Sequence, residues 1–226
     1  MKVAVISPYY KEEESMILRC IESVRAQTHD TAVHHILVSD GHPHPNHQAW
    51  GVQHISIPNC GDYGDTPRAV GSAIVACQDY DAIAWLDVDN WYEPDHIQEA
   101  LKYLSPQKPI VTTGRILRRT DGTLLASCPE SDGINFCDTN CYVIHREAFG
   151  IIGKWTFKPK RFGIVGDRIF WSSLPKQYVA RSPKYTVNYT TKFAVHYLHF
   201  KETPPPDAIE FVNGPDGLPI PQKYYK

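Results

Sequence analysis

The stretch AIAWLDVDNWYEPDHI, residues 82–97, passes from five apolar residues to two carboxylates within a few positions. Residues 82–86 are short, unbroken and apolar, which is the pattern of a buried strand. Asp87 and Asp89 follow at once. In an extended chain, residues two apart point the same way, roughly 7 Å from each other. Carboxylates so placed repel unless a positive group lies between or beside them. A divalent cation shared with a diphosphate answers that need, because Mg²⁺ takes one or two carboxylates together with phosphate oxygens. The simpler reading is an Asx-type turn that closes the strand. The rest of the chain decides between them.

Upstream, residues 3–6 (VAVI) are β-branched and short, and Ser7-Pro8 ends them. Ile17, Leu18, Ile21 and Val24 then recur at helical spacing, with Glu12, Glu13 and Glu14 at the end where a helix dipole favours negative charge. Residues 35–38 form a second strand closed by Ser39-Asp40-Gly41, and residues 54–57 a third closed by Pro58. After the loop 60–65, Thr66 as N-cap and Pro67 at the first helical position open another helix. Ala69, Val70, Ala73, Ile74 and Cys77 supply its apolar face. Beyond the quoted strand, residues 94–104 fit a helix with Ile97, Leu101 and Leu104 on one side. Strand, helix, strand, strand, helix, strand, helix predicts an α/β fold with an open, mostly parallel sheet flanked by helices. Such sheets bind ligands at the carboxyl ends of their strands. Pro8, Asp40, Asp87 and Asp89 all sit at such ends, which favours the metal reading of the acidic pair.

The second half is less regular. Residues 110–118 read as a strand, residues 120–123 as a turn into Leu124-Leu125, and residues 141–144 as another strand. Residues 166–174 read as a short helix opened by Gly166-Asp167, and residues 193–200 as a strand carrying His196 and His199. Residues 201–226 hold six prolines and little pattern, as in an extended tail or lid.

The 226 residues are 42% hydrophobic, enough for one globular domain with an ample core. The 23 Lys+Arg stand against 25 Asp+Glu with no basic stripe, which argues against nucleic acid and leaves a nucleotide ligand open. No apolar run approaches the roughly 20 residues of a membrane span. The six scattered cysteines point to a reducing cytoplasm rather than a disulfide framework, with association at the inner membrane face left open. Cys137 and Cys141 have the look of half a metal site, but no second pair has matching spacing.

Single residues carry two readings each. Asp40 is a turn former or a hydrogen-bond acceptor for a base. Arg68, in the first turn of a helix, is a solvated arginine or a phosphate ligand. Asp167 stabilises a helix dipole or serves as general base. His196 is a structural histidine or the imidazole that completes a Mn²⁺ site. Trp91, Trp155 and Trp171 are core residues or platforms for sugar rings.

The runs SPYYKEEESMILRCIESVRAQT (7–28), ILVSDG (36–41) and LDVDNWYEPDHI (86–97) together resemble the family 2 glycosyltransferases of the GT-A fold. Pro8, Tyr10 and Glu12 match that family's first turn. Ser23, Val24, Gln27 and Thr28 match its helix end, Asp40-Gly41 its acidic strand end, and Asp87-Val88-Asp89 its D-x-D motif. The resemblance implies a GT-A domain over 1–200, with a nucleotide-sugar half (1–113), a smaller mixed acceptor half (114–200) and a tail (201–226). It implies that Pro8, Tyr10, Asp40, Arg68 and Asp87 bind the nucleotide, and that Asp89 and Asp87, joined by His196, hold Mn²⁺ or Mg²⁺. It implies Asp167 as base, since residues 166–171 match the family's later acidic motif. Lys11, Ser39, Val70 and Gly166 depart from the pattern, standing for Asn, Asp, Asn and Glu. The Gln-x-x-Arg-Trp motif of processive synthases is absent. The implied activity is therefore a non-processive, inverting, metal-dependent transfer of hexosyltransferase type, from a nucleoside-diphosphate sugar such as a UDP-sugar to an acceptor hydroxyl. A sugar nucleotidyltransferase and a weakly active nucleotide-sugar-binding module are the alternatives, and assembly into homo-oligomers is open.

Overall fold

A computed structural model describes residues 1–28, 32–214 and 217–222. Its elements are β1 (Val3–Tyr9), α1 (Glu14–Arg25), β2 (Val33–Asp40), β3 (Gln53–Ile57), α2 (Asp65–Ala76), β4 (Ala82–Trp85), β5 (Trp91–Tyr92), α3 (His96–Leu101), β6 (Ile110–Arg118), β7 (Leu124–Ser127), β8 (Tyr142–His145), α4 (Gly166–Ser172), β9 (Val179–Thr190), α5 (Ala194–His199), β10 (Phe211–Asn213) and β11 (Pro219–Pro221). One sheet runs β3-β2-β1-β4-β8-β6-β9-β5, with β7 paired to β6. The first four strands are mutually parallel. Beyond them β8 is antiparallel to β4 and to β6, β9 is parallel to β6, and β5 is antiparallel to β9. The fold class read from the sequence holds.

The strand order positions the site. Chain order steps outward from β1 to β2 to β3, then jumps back to place β4 on the other side of β1. Right-handed crossovers therefore send α1 and α2 to opposite faces. At this reversal the loops after β1 and β4 part, opening a crevice at their carboxyl ends. Leu86 still donates its N–H to Ile6, so the chain leaves the sheet one residue before Asp87.

The core explains which sequence readings shift. On α2 the buried residues include Arg68, Gly71, Ser72 and Val75, while Ala73 and Cys77 are exposed. The helix turns small residues, Gly71 and Ser72, to the sheet beside Val75 because that allows a close approach. A methyl group on Gly71 would lie 2.6 Å from Ile6 Cγ2 and 3.0 Å from Val38 Cγ2. We expect Gly71→Ala to cost about 1–3 kcal/mol of unfolding free energy in a urea titration, the usual penalty of overpacking. The helix also starts earlier than expected. Gly64 is its N-cap, and Thr66, already inside, donates its hydroxyl and its N–H to Asp62.

Residues 193–200 are not a strand. Residues 194–199 form α5, whose buried side chains are Ala194 and Tyr197, three apart, while Val195 and Leu198 face solvent. The alternation of aromatic and apolar residues mimics a strand, but strand-type pairing is confined to an isolated bridge between Phe193 and Ile209 before the helix begins. In contrast β9, to which no sequence pattern was assigned, is a 12-residue strand, and register shifts in the β6 pairing fall at Thr112/Gly114 and Gly114/Arg115, close to the partners of Pro183. Trp155 and Trp171 are core residues: Trp155 stacks on Phe170 at 4.3 Å and meets Trp85 edge-on at 5.4 Å. The tail is partly ordered by pairing. Arg119 grips Glu202, Ile209 donates to the Lys192 carbonyl, and β10 and β11 form a small antiparallel hairpin. No helix among the described residues is long and apolar enough to cross a membrane.

Candidate nucleotide-sugar site

A cavity of about 560 Å³ opens at the carboxyl ends of β1, β2 and β4. Pro8, Tyr10, Asp40, Arg68, Asp87 and Asp89, all singled out from the sequence, line it. Six residues from four separate segments meet here because each ends or follows a strand or opens the helix between two strands.

Asp40 ends β2 with one carboxylate oxygen already engaged. It lines the cavity, and its Oδ1 accepts the Cys60 N–H at 2.6 Å, fixing the loop beneath. Gly41 follows at φ +77°, and a Cβ there would fall 2.5 Å from that of Asn59. Only glycine combines that backbone with that approach. Tyr10 is exposed and meets His42 edge-on at 4.6 Å, giving an aromatic rim of the kind that accepts a planar base. Tyr63 also lines the cavity, 63% exposed and at φ +59°, a conformation rare for a bulky residue.

The acidic pair is held from both sides. Asp87 receives Arg68 Nη2 at 2.5 Å on one oxygen and Asn140 Nδ2 at 3.3 Å on the other, while its N–H donates to Asn140 Oδ1 at 2.6 Å. Asn140 is fixed in turn by Asp138, whose other oxygen takes Arg115 Nη1 at 2.6 Å. Arg68 also faces Asp65 at 3.5 Å, and Asp65 pairs with Lys158 at 2.7 Å. Asp89 pairs with Lys192 Nζ at 3.0 Å, and its carbonyl accepts from Thr190 Oγ1 and Arg19 Nη2. Burial raises the Asp89 pKa, with Lys192 opposing that shift.

Asp167 does not line the cavity. It stands in the first turn of α4, and its Oδ1 accepts the Arg168 N–H at 2.7 Å. Burial, with the nearby Asp138 charge adding to it, pushes its pKa from 3.8 to about 6. Its neighbour Gly166 packs against Asp65: a Cβ there would sit 2.8 Å from Asp65 Oδ1. That contact explains why glycine stands where the resemblance expects glutamate, since Asp65 already fills the space with a carboxylate.

His196 is not brought to the acidic pair. It sits on α5, where its Nδ1 shares a hydrogen with Thr191 Oγ1 at 2.5 Å, and burial lowers its pKa to about 4. Among the described residues no three His, Cys, Asp or Glu side chains converge as a metal-binding group. The donor set still suits a hard divalent ion at Asp89. The cavity is lined by four carboxylates (Glu12, Asp40, Asp87, Asp89) against one guanidinium, Arg68. A diphosphate entering such a surplus of negative charge needs added cation, and oxygen ligands are what Mg²⁺ and Mn²⁺ take.

Lys192 and Asn140 escaped the sequence reading. No local pattern marks either residue. A lysine before a phenylalanine and an asparagine between Thr139 and Cys141 acquire their roles only across gaps of 103 and 53 residues.

The sheet order and the crevice at its reversal define a GT-A-like glycosyltransferase fold. Solved structures of S. aureus TarS share it. One TarS structure superposes with a TM-score of 0.61 at 14% identity, over 88% of this chain and 38% of that one. TarS 1–349 in complex with UDP gives 0.61 at 14%, over 88% and 63%. TarS 1–349 in complex with UDP-GlcNAc gives 0.57 at 15%, over 84% and 59%. The chain thus spans less than two thirds of each of these proteins. No family model and no curated protein matches the sequence.

Proposed function

We propose that the protein transfers a sugar from a nucleoside-diphosphate sugar, with a UDP-sugar the first candidate, to an acceptor hydroxyl. The observation that carries this reading is the cavity itself. It joins an aromatic rim at Tyr10, an acceptor at Asp40, a buried guanidinium at Arg68 and the Asp87/Asp89 pair at the reversal point of the sheet. The TarS complexes with UDP and UDP-GlcNAc lend support to a uridine nucleotide.

On this reading the base lies against Tyr10 and hydrogen-bonds Asp40, while Arg68 and the acidic pair face the diphosphate. Asp89, backed by Asp87, would hold Mn²⁺ or Mg²⁺. Such an ion, when bound, neutralises charge on the departing diphosphate. Asp167 accepts the proton of the acceptor hydroxyl as that oxygen forms its bond to the anomeric carbon. The bond from that carbon to the diphosphate oxygen breaks on the opposite side, so the centre inverts. A carboxylate with a pKa near 6 is well matched to this task near neutral pH.

The test is binding followed by turnover. UDP with Mn²⁺ at about one hundred times its Kd should stabilise the fold by about 2.7 kcal/mol. For a chain of this size that is a rise of about 5–10 °C in apparent Tm. Asp89→Ala should remove the Mn²⁺-dependent part. A screen in which no nucleotide or nucleotide sugar moves Tm would defeat the reading. Pyrophosphate release from UTP and a sugar phosphate would replace it with nucleotidyl transfer.

A further inference from the structure

Lys192 is the second cation of the acidic pair. Its Nζ lies 3.0 Å from Asp89 Oδ2, and its side chain is 40% exposed against 25% for Asp89. Arg68, the other cation, is fixed: its side chain is 7% exposed and held by Asp87 and Asp65. The two therefore differ in freedom. Arg68 is itself buried and also faces the buried Asp65, so leaving Asp87 strands a guanidinium in the interior, whereas Lys192 needs only to rotate a flexible four-carbon stem through solvent.

The backbone beneath Lys192 is tied down. Its carbonyl accepts the Ile209 N–H at 2.7 Å, the next residue Phe193 lines the cavity, and Phe193 packs against Phe211 at 5.3 Å. Tail and cavity wall thus hold the root of the side chain, while its partly exposed tip pairs with Asp89. A divalent ion arriving at Asp89 meets an ammonium already there. A diphosphate arriving without such an ion meets surplus carboxylate. Each guest alone is disfavoured, and together they are not, because the ion takes the carboxylate and the released ammonium takes a phosphate oxygen.

The geometry points to Lys192 as a coupling residue that holds Asp89 in the ligand-free protein and moves to the donor's diphosphate when a divalent ion replaces it. This rests on the nucleotide-sugar reading above. Metal and diphosphate binding are then reciprocally linked, each strengthening the other by the same factor.

The experiment compares wild type, Lys192→Met and Lys192→Arg by calorimetry and by Mn²⁺ electron paramagnetic resonance, with Mn²⁺ alone, UDP alone, UDP with Mn²⁺, and uridine. Lys192→Met should bind Mn²⁺ alone more tightly, by about fivefold, as expected when a competing cation is removed. It should bind UDP with Mn²⁺ more weakly, by about tenfold or more, the worth of a charge-assisted hydrogen bond. Uridine affinity should not change, and Lys192→Arg should restore UDP binding. If wild type binds UDP with Mn²⁺ and Lys192→Met leaves either the Mn²⁺ or the UDP affinity where it was, the coupling role is wrong and the nucleotide-sugar reading stands. If wild type fails to bind UDP at all, that reading falls and takes the coupling with it.

Discussion

Asp167→Asn should lower sugar transfer by about 10²–10⁴-fold, the usual contribution of a general base, while leaving UDP affinity unchanged. The same side chain sets a pH dependence. With a pKa of about 6, wild-type kcat/KM should rise as pH increases through that value and level off above it, because only the ionised carboxylate accepts a proton. The effect on stability has the opposite sense. The folded-state pKa lies above the 3.8 of an ordinary aspartate, so the folded protein holds this proton more tightly. The associated stability is fully present below about pH 4 and is lost as pH rises through 6. At pH 7 the half-buried, ionised carboxylate is a cost, and Asp167→Asn should therefore unfold at higher urea than wild type. A variant that gains stability and loses turnover cannot be explained by misfolding. Near-native transfer by Asp167→Asn with normal donor binding would end its assignment as base.

Arg115→Met should be the most destabilising single change, by about 3–5 kcal/mol, because it strands a buried carboxylate. The Arg115 and Asp138 side chains are only 5% and 7% exposed, and they meet at 2.6 Å. Asp138 also accepts both the backbone and the side-chain N–H of Asn140, which holds Asp87. The loss should thus reach the cavity and weaken donor binding as well. Urea unfolding at constant m-value measures the first effect and UDP titration the second. Adding Asp138→Asn to Arg115→Met should recover more than half of the lost stability, since the stranded charge is then gone. If the double variant were as unstable as the single one, the penalty would belong to packing against Tyr189, whose ring lies 4.4 Å from the guanidinium, rather than to charge.

Parts of this architecture are legible because they are local. The runs at residues 3–6, 35–38 and 82–86 are apolar on both faces, so each reads as a buried parallel strand wherever it sits in the sheet. The residues that end or follow them, Pro8, Asp40, Asp87 and Asp89, are placed by the strands and converge in the cavity. Residues 193–200 misled because eight residues with alternating apolar character suit a strand and a helix almost equally. The outcome turned on Ala194 and Tyr197 finding the interior. On α2, hydrophobicity pointed to one face, but the close approach allowed by Gly71 and Ser72 selected another.

By itself, the sequence determined an α/β sheet with its acidic groups gathered at the strand ends, because strand period and chain direction are encoded within a few residues. Which partner each of those carboxylates faces was decided only by the tertiary structure. Lys192 reaches Asp89 across 103 positions and Asn140 reaches Asp87 across 53, and such pairings depend on the sheet order, which no local pattern of residues specifies.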